Sequence, residues 1–222
     1  MLERIIGLVA PHQCYICKRE GALLCEWCAQ DCCLPLSPRC YHCYALNPGS
    51  AVCNACRHRS PLKHVWARTD YEIWAKQLLH DFKFSRAQAA AETIGQLMSR
   101  GMPYLPRDTL VMSVPTATSR RRQRGYDHAA LLGKQVARQL GLPYAPALHR
   151  LGQARQVGAD KHTRETQLIT AFRLTNASLV VGSKILLVDD IITTGASLES
   201  CARLLKASGA DRVDAVVFAQ KQ

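Results

Sequence analysis

Apolar positions fall into two regimes along this chain. From about residue 62 onward they recur in runs and periods that define strands and helices; before that they are scattered among cysteines and polar residues. The clearest run is Ile185, Leu186, Leu187 and Val188, which has no breaker and predicts a buried central strand, parallel to its neighbours. Downstream, Leu198, Cys201, Leu204 and Leu205 recur at helical spacing, Gly209 marks a stop, and 213–219 reads as a further strand. Strand, helix and strand at this spacing make a βαβ unit with a parallel pair. Upstream, 62–69 reads as a strand. Ile73, Leu78, Leu79 and Phe82 give a helix over 71–82 an apolar face, with Glu72, Lys76 and Asp81 turned outward. A second helix covers 87–98, Pro103 and Pro106 mark a loop, and 109–114 is a strand ending at Pro115. Leu131, Leu132, Val136 and Leu140 define a helix over 129–140 that Gly141 stops. The segment 150–164 is basic and poor in apolar residues, a loop or short helix, with Phe172 anchoring its end. The expected fold class is α/β: a mostly parallel sheet flanked by helices over 61–222, preceded by a small module over 1–60, with the polar turn 57–61 as the join.

Composition narrows the class. A chain of 222 residues that is 48% hydrophobic is globular rather than disordered and can bury one sizeable core plus an appendage. No apolar run reaches membrane-spanning length, and the patch 5–10 is too brief for a secretory signal. The expected setting is therefore cytoplasmic, without membrane insertion. A formal charge of +12 favours an anionic partner, either nucleic acid or a phosphorylated ligand.

Ten of the eleven cysteines lie between Cys14 and Cys56. In a reducing compartment this density points to metal rather than disulfides. Eight of them form four CxxC pairs: Cys14 and Cys17, Cys25 and Cys28, Cys40 and Cys43, Cys53 and Cys56. Each pair can place two sulfurs on one metal, and tetrahedral zinc takes four. The simplest partition is two structural Zn2+ sites in sequential order; interleaved pairing is the alternative. Cys32 and Cys33 fall outside the spacing, although Cys32 could replace a ligand, and His12, His42 and His58 are nearby substitutes. An iron-sulfur centre or a redox dithiol would use similar residues. With four thiolates per shell, no position is left open for catalysis by bound water.

The apolar run 185–188 leads directly into Asp189 and Asp190, then Thr193, Thr194, Gly195, Ala196 and Ser197, where a helix pattern begins. Carboxylates at the carboxyl end of such a strand lie where α/β sheets bind ligands. A tight turn opening a helix offers free N–H groups and a favourable dipole to an anion. Together they supply a phosphate cradle beside a carboxylate pair for hydroxyls or a metal, although capping alone can account for such residue types. The string is neither a Walker A loop nor a GxGxxG fingerprint. Arg120, Arg121, Arg122 and Arg124 form the densest charge cluster. Their forked donors suit pyrophosphate or a nucleic-acid backbone, and Tyr126 beside them can stack on a base or simply pack.

The string 186–197, LLVDDIITTGAS, resembles the signature of the type I phosphoribosyltransferases. That resemblance implies that Thr193 to Ser197 hold the 5-phosphate of phosphoribosyl pyrophosphate. It also implies that Asp189 and Asp190 face the ribose hydroxyls with Mg2+ nearby. Ser197 stands where the family more often has threonine. RRRQRGYDHAALL, Pro115 before it, the later Gln156, Arg164 and Phe172, and the four CxxC pairs together resemble the ComF family, also called GntX-like proteins. That family joins an N-terminal zinc module to a type I phosphoribosyltransferase domain. Tyr126, Asp127 and His128 replace a Phe-Asn-Gln string common in that family, and Gln167 replaces an asparagine. The resemblance implies a competence or DNA-utilisation protein binding incoming single-stranded DNA and phosphoribosyl pyrophosphate, with DNA-uptake machinery proteins as partners. An active phosphoribosyltransferase with a nitrogen acceptor, and a regulatory nucleotide sensor, are the rival expectations.

Overall fold

The computed structural model describes residues 11–32, 36–85, 87–116, 126–151 and 171–221. In chain order its helices and strands are α1 (Glu26–Cys32), α2 (Asn54–Arg57), β1 (Val65–Asp70), α3 (Ile73–Phe84), α4 (Ala87–Ser99), β2 (Leu110–Ser113), α5 (His128–Leu140), β3 (Leu148–Arg150), β4 (Phe172–Leu174), β5 (Lys184–Ile192), α6 (Ala196–Ala207) and β6 (Arg212–Gln220). Strands β1, β6, β5 and β2 lie side by side in that order, and all three pairings are parallel. Leu187 of β5 sits between Met112 of β2 and Ala215 of β6.

Successive side chains of a strand point to opposite faces, and both faces of this sheet are covered. Val111, Leu186, Val188, Val216 and Phe218 enter one apolar cluster with α3, α4 and α5. Met112, Ile185, Leu187, Val213, Ala215 and Val217 enter a second with α6 and the β3–β4 pair. A strand buried on both sides needs apolar residues at every position, which is why 185–188 shows no alternation.

Helix α5 is closed at both ends: the Asp127 side chain accepts from the Ala130 amide at 3.1 Å, and Gly141 takes the left-handed φ of 65°. The expected helix over 71–82 is α3, but its inner face is Ala75, Leu78, Leu79 and Phe82. Ile73, expected on that face, is 82% exposed. At about 100° per residue it lies on the opposite side of the helix from that stripe. Asp81, expected to face solvent, instead accepts a hydrogen bond from Tyr15. The strand expected from residue 62 starts at Val65; Leu62 is buried among residues of the cysteine-rich segment.

That segment shares the core of the sheet domain. Cys14, Leu23, Leu24 and Cys28 pack in the cluster of Leu78, Leu79 and Phe82. Cys40, Tyr41, Val52 and Cys56 pack in the cluster of Ile192 and Leu198. No helix of the described residues is long and apolar enough to cross a membrane.

The connections place a crevice. Strand β5 is followed by α6 on one face of the sheet, and its neighbour β2 by α5 on the other. Adjacent strands whose chains leave toward opposite faces open a cleft at their carboxyl ends, where α/β sheets take ligands.

Candidate functional site

Asp189 and Asp190 reach this cleft because β2 stops opposite Val188, whereas β5 continues beside β6 to Ile192, so the strand expected over 185–188 is longer and carries both aspartates. The Asp190 amide donates to Asp189 Oδ1 at 2.8 Å. Burial, and then the neighbouring Asp190 charge, push the Asp189 carboxyl well above the ordinary carboxylate range, against the Asp190 amide and the Lys83 charge, which favour ionisation. Lys83, in the last turn of α3, forms an ion pair with Asp190 Oδ2. Among the described residues the site is thus a pair of mutually repelling carboxylates with Lys83 on one side, suited to a hard divalent cation or to hydroxyl donors.

The loop after β5 turns at Gly195, whose φ of 77° and ψ of −4° are left-handed. Thr193 and Thr194 are exposed, and Thr194 Oγ1 accepts from the Ala196 amide at 3.4 Å. The Glu199 amide reaches back to the Gly195 carbonyl at 2.9 Å. The amides of Ser197 and Leu198 precede that bond, at the positive end of the helix dipole. The five loop residues and the two aspartates therefore share one strand end and one helix start, as the sequence pattern implies.

On the β2 side, the Val114 amide donates to the Val188 carbonyl at 2.9 Å, so Pro115 and Thr116 line the same end of the sheet. Thr116 Oγ1 lies 3.3 Å from Nε2 of the buried His128. Tyr126 is half-buried and donates its hydroxyl to the Phe82 carbonyl at 2.6 Å, which sets it beside Lys83. Arg120, Arg121, Arg122 and Arg124 lie outside the described residues, as do Gly125, Gln156, Arg164, Gln167 and Cys33.

The eight paired cysteines form two separate clusters in sequential order, Cys14, Cys17, Cys25 and Cys28, then Cys40, Cys43, Cys53 and Cys56. Within each, the four sulfurs lie within 4.8 Å of one another. Cys17 and Cys25 are 3.6 Å apart at sulfur, as are Cys43 and Cys53. A tetrahedral ion with metal–sulfur bonds of about 2.3 Å places its ligands about 3.8 Å apart, so each cluster has the dimensions of a metal-binding thiolate shell. Burial opposes ionisation of Cys14, but the backbone amides of Cys25, Cys17 and Ile16 outweigh it and bring the thiol to about 6. For Cys40 burial is likewise outweighed by the amides of Cys53, Cys43 and His42, giving about 7. Burial and the neighbouring thiols push Cys28 upward, and Cys56 to about 12. Each set is thus primed to start losing protons, and a cation is needed to complete the loss.

A phosphoribosyl transferase domain model matches residues 127–222. The DNA utilization protein YhgH of Salmonella typhi is 30% identical over 226 residues, covering 93% of this chain and 96% of that protein. The chain belongs to the ComF/YhgH family. Its similarity extends to competence protein F of Haemophilus influenzae, 25% identical over 86% of this chain and 87% of that one. Competence protein ComFC of Bacillus subtilis is 27% identical over 93% of this chain and 83% of its own length.

The domain match contains the whole β5–α6 site, while both cysteine clusters precede it. In this ComF/YhgH family member three residues outside the string 189–197 reach the site. Lys83 pairs with Asp190. Glu199 stands in the first turn of α6. Tyr41 lies against Gly195, where an added Cβ would be 3.0 Å from its ring carbon Cε2. Lys83 carries no signal in sequence. Tyr41 has one: tyrosine follows the first cysteine in both Cys14-Tyr15-Ile16-Cys17 and Cys40-Tyr41-His42-Cys43.

Proposed function

We propose that this protein is a cytoplasmic competence or DNA-utilisation factor of the ComF type. On this reading it binds phosphoribosyl pyrophosphate with Mg2+ at the β5–α6 cleft and incoming single-stranded DNA on its basic rim. The observation that carries the reading is the junction of Asp189 and Asp190 with a left-handed Gly195 that opens a helix at a switch point of the sheet. The helix start suits the 5-phosphate, because free amides and the dipole favour an anion there. The two carboxylates suit ribose hydroxyls and would hold Mg2+ as oxygen donors. The cysteine shells suit structural Zn2+, since all their ligands are thiolates and no position stays open.

The DNA half rests on the family's named members, a DNA utilization protein and two competence proteins, and on the +12 charge with its Arg120, Arg121, Arg122 and Arg124 cluster. DNA-uptake proteins are the partners this role implies. Phosphoribosyl transfer with release of pyrophosphate is the second reading, favoured by the intact acidic pair and its Lys83 cation.

Calorimetric titration of the full chain with phosphoribosyl pyrophosphate and Mg2+ tests the first half. Saturable binding is expected, lost on Asp189→Asn with Asp190→Asn; no heat in the wild type refutes it. Titration of a single-stranded oligonucleotide at several salt concentrations tests the second. Replacing the four arginines by alanine is expected to weaken binding and flatten the salt slope; an unchanged slope removes that rim from the interface.

A further inference from the structure

The two cysteine clusters are built as copies. The Cys14 amide donates to the Arg19 carbonyl at 2.8 Å and the Cys40 amide to the Ala45 carbonyl at 2.9 Å. The residue after the second cysteine is left-handed in both, Lys18 at φ 63° and Tyr44 at φ 60°. Each knuckle is then closed by one antiparallel bridge, Gln13 with Glu20 and Arg39 with Leu46. In each copy the tyrosine after the first cysteine points its hydroxyl out of the cluster and into the sheet domain. Tyr15 donates to Asp81 on α3, two residues before the Lys83 that pairs with Asp190. Tyr41 donates to Glu199 Oε1 at 2.8 Å and shares its hydroxyl with Ser60 Oγ at 2.7 Å.

The Tyr41 contact has an electrostatic consequence. Glu199 is an acidic side chain in the first turn of α6, the turn whose amides form the anion cradle. A free carboxylate there would repel a phosphate and compete with it for the positive helix end. Its two oxygens are instead engaged: Oε1 by Tyr41, and Oε2 by Arg203 at 2.6 Å. The Tyr41 ring at the same time abuts Gly195, the left-handed turn of the loop. Tyr41 is 6% exposed, so its ring and hydroxyl are held by packing rather than by solvent.

We infer that Tyr41 is a positioning residue of the anion site. The second cysteine cluster, through this side chain, turns Glu199 away from the phosphate position and braces the loop at Gly195. Metal at Cys40, Cys43, Cys53 and Cys56 would fix the knuckle that carries Tyr41, so loading of that cluster and affinity at the cleft are linked. This inference rests on the reading of the cleft as a phosphoribosyl pyrophosphate site.

The test is calorimetry with phosphoribosyl pyrophosphate and Mg2+ on the full-length wild type, Tyr41→Phe, Glu199→Gln and the double variant. Zinc content is measured on the same samples. Tyr41→Phe is expected to keep wild-type zinc and to bind roughly tenfold more weakly, the loss of one hydrogen bond to a charged group. Adding Glu199→Gln should restore most of that affinity, because the freed carboxylate is gone; a merely structural defect would not be rescued. Wild type that binds no phosphoribosyl pyrophosphate refutes the cleft assignment and this inference with it. Wild-type binding that Tyr41→Phe leaves unchanged, or a defect that Glu199→Gln does not relieve, overturns the role of Tyr41 alone. If Tyr41→Phe loses zinc, Ser60→Ala takes its place, since Ser60 holds the same hydroxyl from outside the cysteines. Weaker binding that Glu199→Gln again relieves supports the inference, and unchanged binding refutes it.

Discussion

At the scale of single residues, Asp189 and Gly195 act on stability in opposite directions, the buried carboxyl lowering it and the left-handed glycine sparing the turn a strained side chain. Burial and Asp190 raise the Asp189 carboxyl, so the folded chain takes up its proton more readily than the unfolded chain does. The folded state therefore loses stability as pH rises from the ordinary carboxylate value of 3.8 toward the raised one, and the loss is constant above it. Asp189→Asn removes that cost while keeping an acceptor for the Asp190 amide. Its melting temperature in the ligand-free state should exceed wild type at neutral pH, by a margin that shrinks on acidification, while binding of phosphoribosyl pyrophosphate falls away. Thermal unfolding at several pH values checks the sign. Gly195→Ala should move stability the other way. A left-handed non-glycine costs about 1 kcal/mol, and the new Cβ would stand 3.0 Å from Tyr41. A lower urea midpoint together with weaker anion binding is the expected result.

At the scale of elements, α5 shows how local signals and tertiary packing divide the work. Asp127 and Gly141 fix its ends by capping chemistry that needs no partner element. Asp127→Ala should cost about 1 kcal/mol in a urea titration, the usual price of a lost N-cap; Asp127→Asn, which keeps the acceptor, should cost little. Helix α3 behaves differently. Its apolar stripe was legible at Leu78, Leu79 and Phe82, but the exposed Ile73 and the engaged Asp81 were not. The sheet and the first knuckle decide which sides of α3 are covered, and periodicity alone does not say what will approach a helix from outside.

At the scale of the whole molecule, the cysteine-rich segment and the sheet domain share their cores. Leu23 and Leu24 pack with Leu78, Leu79 and Phe82, and Tyr41 and Val52 pack with Ile192 and Leu198. Metal loading should then stabilise the entire chain, because ligand binding energy in such shells is folding energy. Addition of a strong metal chelator, followed by differential scanning calorimetry, is expected to lower one common unfolding transition. A sheet domain that melts at its original temperature after complete chelation would contradict that coupling.

The sequence alone was enough for the parts that short-range chemistry dictates. The run 185–188 specified a strand buried on both faces, since only such a strand has no polar side. The CxxC spacings specified thiolate pairs, since two sulfurs three residues apart reach one ion. The string from Asp189 to Ser197 specified an acidic strand end running through a glycine turn into a helix start. Tertiary structure decided what lies between distant positions: the sequential grouping of the eight cysteines, Lys83 on Asp190, and Tyr41 between Glu199 and Gly195. The Tyr41–Glu199 pair spans 158 positions of chain. No period or motif encodes such a meeting; it exists because the sheet order brings a knuckle of the first sixty residues against the helix that follows β5.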